Sequence, residues 1–269
     1  MTDERTAAAF ASSWNRIGSV YTRDQFLEWM EPLRPEDFRG GTVLELGFGN
    51  GSLLVHTAAM GPSKLTGVEL GDTIAQTERN LETVPHGAVD LRRGDLITAD
   101  VGEQDVVYCI GVLHHLSDPS AGFDAVLRNT RPGGRFHCWV YAREGNAAVR
   151  WLVDPIRRIA SRLPWWLTKY AIALPLVLPY FVWAKLVRRV PALARRMPLG
   201  EYTLWIAREP LAFFHHVAFD QLVTPRTVYL RRSEIEEWLR DPRIDPASIY
   251  VIFRNGNSWK FGGRRKNAC

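Results

Sequence analysis

At 269 residues the chain is long enough to bury a full α/β core, and one domain with an elaboration is the natural count. Its net charge of +5 is a local matter: from Arg143 to Gly200 eleven Lys or Arg oppose only Glu144 and Asp154, so this segment carries +9 and the remainder −4, which argues against a general nucleic-acid coat. Three cysteines without a Cys-x-x-Cys, and no His/Cys/Asp/Glu cluster at ligand spacing, suggest neither a zinc site nor iron–sulfur chemistry.

In chain order, Phe10, Trp14, Ile17 and Tyr21 recur at helical spacing, and Phe26, Trp29 and Met30 continue an apolar face up to Pro32. This stripe predicts helices before the first strand, either a lid over a ligand or simple packing on a sheet. The opening MTDERTAAAF carries acids and lacks the apolar core of a signal peptide. Cys109 and Cys138 fall in apolar stretches, where buried free thiols fit a reducing cytoplasm, and Cys269 is the last residue.

Thr42-Val43-Leu44 reads as a first strand and runs straight into Glu45–Gly51, ELGFGNG. Glycines at 47, 49 and 51 let the backbone turn sharply and leave room for a ligand. Ser52-Leu53-Leu54-Val55 opens a helix whose free N–H groups point back at that loop. The dinucleotide fingerprint Gly-x-Gly-x-x-Gly would need a third glycine where Ser52 stands. The second strand, KLTGVEL over Lys64–Leu70, ends at Glu69, placed for a carboxylate to accept both hydrogen bonds of a ribose diol. VDLRRGDL over Val89–Leu96 reads as a third strand closing on Asp95, and DVVYCIGV over Asp105–Val112 as an apolar fourth, followed by LHHLSDP. RPGGRFHCWV over Arg131–Val140 is a turn and a fifth strand.

The alternation then stops for about eighty residues, Arg143–Leu222, which hold five of the ten tryptophans (151, 165, 166, 183 and 205). At its centre AIALPLVLPYFVWA, Ala171–Ala184, is uncharged and broken by Pro175 and Pro179. Fourteen residues are too few for a spanning helix, which needs roughly twenty. Two expectations stand: a soluble helical cap over a substrate pocket, or an interfacial segment resting on anionic headgroups. Both imply an apolar, lipid or lipid-linked acceptor. Beyond it, Ser233 with Glu236 predicts a helix start, Ile249–Phe253 a sixth strand, Asn255-Gly256 a hairpin turn, and Trp259–Arg265 an antiparallel seventh strand.

The series ELGFGNG, VEL, GDL, CIGVLHHLSDP and RPGGRF, in this order and spacing, resembles the class I S-adenosylmethionine (SAM)-dependent methyltransferases over residues 42–142. WVYAREGN, FDQL and RNGNSW extend the resemblance to a bacterial subfamily with a large helical insertion, and it brings no substrate with it. The resemblance implies an α/β, Rossmann-like sheet of seven strands with the last antiparallel. It divides the chain into a lid (1–40), a SAM-binding core (41–142), a basic helical insertion (143–222) and a completion of the sheet (223–269). It also implies that SAM is held by Glu45, Gly47, Phe48, Gly49, Asn50 and Gly51. Glu69 and Leu70 would lie at the ribose, Asp95 and Leu96 at the adenine, Ile110 at the end of strand four, and Trp14 and Tyr21 in the lid.

A neutral oxygen or nitrogen acceptor needs a base near its proton. His114 and His115 follow the fourth strand, where this fold class presents groups to substrate. His215 and His216 precede Asp220, and a histidine–carboxylate pair at i, i+4 orients an imidazole. O-, N- and C-methylation all remain open. A nicotinamide-dependent oxidoreductase and a non-catalytic SAM-binding protein docked on a membrane are the alternatives from other classes. No nucleic acid, no metal and no oligomeric state are indicated.

Overall fold

The computed structural model describes residues 2–15 and 20–267; Ile17 and Cys269 lie outside them. Seven strands form one sheet: β1 (Thr42–Leu46), β2 (Lys64–Glu69), β3 (Val89–Arg93), β4 (Gln104–Ile110), β5 (Thr130–Tyr141), β6 (Tyr250–Arg254) and β7 (Ser258–Arg264). Their order is β3-β2-β1-β4-β5-β7-β6, and β7 runs antiparallel to both neighbours. The expected sheet is the observed one. Asn255 (φ +51°) and Gly256 (φ +66°) make the hairpin that reverses the chain between β6 and β7, since both positions need the left-handed region.

The central strands are apolar on both faces because helices cover both. On one side Val107, Cys109, Phe136 and Cys138 pack under the helix Pro119–Asn129. On the other, Val43, Val106 and Tyr108 meet Phe26, Met30 and Phe38 of the N-terminal helices. Helix Pro119–Asn129 starts where Asp118 accepts the N–H groups of Ser120 and Ala121 at 3.0 Å, with Pro119 in the first turn, where a missing N–H costs nothing.

The insertion is wholly helical among its regular elements: Ala147–Ala160, Trp165–Val187, Pro191–Ala194, Gly200–Ile206 and Leu211–Val223. Here the structure corrects the sequence. Pro175 and Pro179 do not interrupt the apolar stretch; a continuous helical run of 23 residues passes through both, with mean hydropathy 1.7, long and apolar enough to cross a membrane by length and composition alone. A π-type stretch, Thr168–Ala173, lies immediately before Pro175. Its wider turn falls where the proline ring would clash with a carbonyl of the preceding turn, which explains how the helix tolerates it.

The helix Arg232–Trp238 also begins elsewhere than predicted. Its N-cap is Arg231, whose N–H donates to Glu234 at 2.6 Å, so Ser233 lies inside the first turn. Glu234 takes the capping position, and Glu236 instead accepts from Arg232 at 2.7 Å.

Candidate functional site

A cavity of about 590 Å³ opens at the carboxyl ends of the parallel strands, between the sheet, the helix Thr2–Trp14 and the insertion. At its sheet end β1 gives way to a loop in which Gly47 (φ +81°), Gly49 (φ +57°) and Gly51 (φ +77°) all take the left-handed region that favours glycine. A Cβ at Gly47 would strike Val112, one at Gly49 the Trp14 ring, and one at Gly51 Thr77. The loop is therefore tight against its neighbours even before a ligand is considered.

One carboxylate holds that loop and a second is buried at its start. Glu69 Oε2 accepts from Gly49 N–H at 3.0 Å, and its Oε1 accepts from Gly71 N–H at 2.7 Å. Burial raises the Glu69 pKa, and these backbone donors oppose the rise. Glu45 is buried, accepts the Tyr108 hydroxyl at 2.8 Å, and is pushed up to about 8, chiefly by desolvation. Asn80 Nδ2 donates to Asn50 O at 2.7 Å, and the Thr73 hydroxyl donates to Gly49 O. Asp95 caps the turn after β3 by accepting from Ile97 N–H at 2.9 Å.

The structure brings most of the expected residues to this one cavity. Glu45, Gly47, Phe48 and Asn50 line it from the loop, as do Glu69 and Leu70 after β2. Asp95 and Leu96 line it after β3, Ile110 at the end of β4, and Trp14 and Tyr21 from the N-terminal region. Gly49 and Gly51 lie just behind, covered by Trp14 and Thr77.

The four histidines divide. His115 and His216 line the cavity, whereas His114 and His215 do not. His114 is fully buried, its ring 4.2 Å from that of Tyr141, with neither nitrogen hydrogen-bonded; desolvation drives its pKa far down. His215 Nε2 bonds the Lys169 carbonyl at 2.8 Å instead. Neighbours on a helix point about 100° apart, so His215 and His216 cannot both face inward. His115 Nδ1 meets the Arg226 carbonyl at 2.9 Å, which makes Nδ1 the protonated nitrogen; burial lowers its pKa to about 4. His216 Nε2 lies 3.2 Å from Asp220 Oδ2, the i, i+4 pair expected on the helix Leu211–Val223. The contact is poorly aligned for a hydrogen bond. Asp220 Oδ1 accepts from Trp14 Nε1 at 3.4 Å, and burial raises its pKa against the pull of His216.

Residues 19–174, more than half of the chain, match the profile of the methyltransferase domain. The chain belongs to the methyltransferase domain family. Its fold and family are those of class I SAM-dependent methyltransferases. The chain is 31% identical over 120 residues to a ubiquinone biosynthesis O-methyltransferase of Bordetella avium, covering 43% of this chain and 46% of that protein. It is 35% identical over 102 residues to the protein of the same name from Pseudomonas paraeruginosa, covering 36% and 42%. The chain thus spans less than half the length of these relatives. A putative methyltransferase of Bacillus halodurans shares the fold at TM-score 0.53 and 10% identity over 91% of this chain and all of that one. The magnesium protoporphyrin IX methyltransferase of Synechocystis, solved with bound SAH, does so at 0.51 and 14%, over 91% and 82%.

Other residues lining the cavity were not legible from sequence. Arg254 lines it and packs against both Trp29 and Trp205, 5.5 and 4.9 Å from the ring centroids. Its guanidinium donates to Glu28 at 2.8 Å, and so does Trp205 Nε1. These partners lie far from Arg254 in sequence, Glu28 at 226 positions, and the RNGNSW segment signalled only its turn. Tyr141 and Gln221 form another unforeseen pair, the amide donating to the phenol oxygen at 2.5 Å. Among the described residues no group of three or more His, Cys, Asp or Glu is placed to hold a metal ion.

Proposed function

We propose that this methyltransferase moves the methyl group of SAM onto a small, apolar acceptor held between the glycine loop and the helical insertion. The observation that supports this most is the single cavity: carboxylates and loop glycines at one end, Phe213, Phe214, Ile206, Trp205 and Val177 at the other. SAM supplies a methyl group on a positive sulfur, displaced in line by the acceptor. The chain's own part is to position and desolvate.

Glu69 fits the ribose end, because each of its oxygens has a lone pair left after the backbone bonds. Asp95 lies at the end of the next strand, suited to the adenine amino group. Glu45, buried and partly protonated at neutral pH, gains from any positive group that enters. Trp14 and Tyr21 close the cavity from the lid, so residues 1–40 act as a cover, 41–142 as the cofactor core, 143–222 as the acceptor cap and 223–269 as the completing edge.

His216, oriented by Asp220, is the base we assign for an O–H or N–H acceptor, with His115 as the second candidate. The cap's basic, aromatic character suits work at the surface of an anionic membrane facing a reducing cytoplasm, where the buried thiols of Cys109 and Cys138 remain free.

Isotope-labelled SAM incubated with the protein and a cell extract, then partitioned into polar and lipid fractions, tests the whole. Label is expected in the lipid fraction; label confined to the polar fraction would remove the apolar acceptor, and none at all would remove the activity.

A further inference from the structure

Among the described residues lining the cavity, the most exposed are Leu152, 68% exposed, and Leu176, 46% exposed; one belongs to the helix Ala147–Ala160 and the other to the run Trp165–Val187. Both helices pack on the helix Leu211–Val223, which carries His216. A methyltransferase whose acceptor came from water would be expected to show polar groups there. Here the most exposed wall residues are leucines.

The same two helices present an apolar face without a partner among the described residues. Trp151 is 80% exposed, with Ile159 following two turns along; Trp166, Leu178, Val182 and Leu186 continue it on the longer run. Only 17% of that run's most apolar window is buried. Soluble chains rarely leave so large a contiguous apolar surface uncovered. Exposed arginines flank it at 158, 162, 188, 189 and 196, whereas Arg157 is buried against Asp154 and adds nothing to the surface charge. Arg195 is partly neutralised by Glu201. An apolar face rimmed by cations is complementary to an anionic bilayer, whose acyl chains take the leucines and tryptophans and whose headgroups take the guanidinium groups.

The long helix is packed on the domain along its other side, which argues against its crossing a bilayer. Val177 and Ala184 are buried with Ile206, Phe213 and Phe214, and Tyr180 bonds Thr203 at 3.1 Å. Lys185 donates to the carbonyls of Ala207 and Glu209, each at 2.8 Å. Spanning would break all of these.

From this we infer that the acceptor enters the cavity directly from an anionic membrane, through an opening walled by Leu152 and Leu176 that faces the acyl chains. The inference rests on the proposed acceptor cavity and adds its source: a molecule dissolved in the bilayer that reaches the methyl donor without crossing water.

The test uses the full chain with Cys269→Ser, so that Leu152→Cys or Leu176→Cys carries the reactive thiol; Cys109 and Cys138 are buried. Each variant receives a nitroxide label and is mixed with phosphatidylcholine vesicles with or without phosphatidylglycerol. Binding is expected only with phosphatidylglycerol, is expected to fall as salt rises, and is expected to weaken about fivefold for each of Arg188, Arg189 and Arg196 changed to Gln. On bound protein both labels should be reached by oxygen and shielded from an aqueous nickel complex. Labels that stay accessible to nickel on bound protein overturn the inference, as does failure to bind. Self-association through this face, seen as label–label broadening without lipid, overturns it too. Calorimetry with SAM on the same samples separates the cases: bound SAM with no vesicle binding sinks the membrane source alone, whereas no SAM binding sinks the methyltransferase reading.

Discussion

Trp14 and Asp220 stand 206 positions apart, and the indole N–H of the first donates to a carboxylate oxygen of the second at 3.4 Å. The same indole covers Gly49, so one side chain ties the N-terminal helix to the glycine loop and to the helix that carries His216. Trp14→Ala should therefore open the cavity at its cofactor side and weaken SAM binding by about tenfold or more, some 1.4 kcal/mol. Trp14→Phe keeps the cover and loses only the N–H. Calorimetry on the pair separates the two contributions; equal affinity in parent and Ala variant would deny the lid.

The contact also changes what a substitution at the loop means. A β-branched residue at Gly49 meets the Trp14 ring before it meets any ligand, and it meets it at a φ that disfavours side chains. Lost SAM affinity in such a variant reports a displaced lid as much as a blocked loop. Glu69 is the cleaner probe. Glu69→Ala strands the N–H groups of Gly49 and Gly71, whereas Glu69→Gln retains one acceptor oxygen. We expect one to two decades of SAM affinity lost with Ala, from charge-assisted bonds of roughly 1.5–3 kcal/mol, together with a lower Tm. Gln should lose less of both. SAM affinity unchanged in the Ala variant would remove Glu69 from the site.

The sheet and the cofactor end were legible because their signals are local. ELGFGNG fixes a turn by backbone sterics, the strands are apolar runs, and Asn255-Gly256 writes its hairpin in two residues. The cap was less legible, for a physical reason. Proline predicts an interruption from its own ring and missing N–H, but the π-type stretch Thr168–Ala173 absorbs Pro175 through hydrogen bonding that no residue pattern announces. Likewise His215 and His216 are chemically identical in sequence, and only the helix's rotation decides that one faces Lys169 and the other the cavity. Arg254 depends on two tryptophans and a glutamate from two other segments, so nothing near it in the chain foretold its place.

Glu45 makes stability depend on pH in a direction that can be worked out. Its folded-state pKa is raised to about 8, against about 4.3 unfolded, so the folded chain holds the extra proton between these values. Stability from this group is fully present below about 4.3 and is lost as pH rises through 8. His115, lowered to about 4 by burial, acts oppositely: the unfolded chain holds its proton up to about 6.5, so stability rises with pH across that window. The two offset each other in mild acid, and Glu45 stands unopposed above about 6.5. Urea unfolding of the ligand-free protein should show stability falling from about pH 6.5 to 8, at up to about 1.4 kcal/mol per unit, with the fall reduced in Glu45→Gln. A cationic ligand favours the carboxylate, so SAM binding near neutrality should release a proton, seen as a buffer-dependent enthalpy. A parent with flat stability over that range would show that Glu45 is already ionised.

The proposed base gives the last prediction. His216 lies against the cavity with Asp220 Oδ2 3.2 Å from its Nε2, and a modest rotation on binding an acceptor would align that contact. His115, its pKa lowered to about 4 by burial, has little affinity for a proton at neutral pH. With the lipid fraction as acceptor source, His216→Gln should cut turnover by about 10²–10⁴ while SAM affinity stays constant. Asp220→Asn should cost less, because it removes orientation and leaves the imidazole. It should also disturb Trp14, so SAM affinity must be measured alongside. His115→Gln should be mild by comparison. The parent's pH profile adds an independent check: His115 stays neutral from roughly pH 8 down to 5 and cannot silence the enzyme over that range. A rate that falls across those values while SAM remains bound therefore excludes His115 as its cause. Full activity in both Gln variants would instead mean that the acceptor arrives already ionised, or reacts through carbon, and needs no base from this chain.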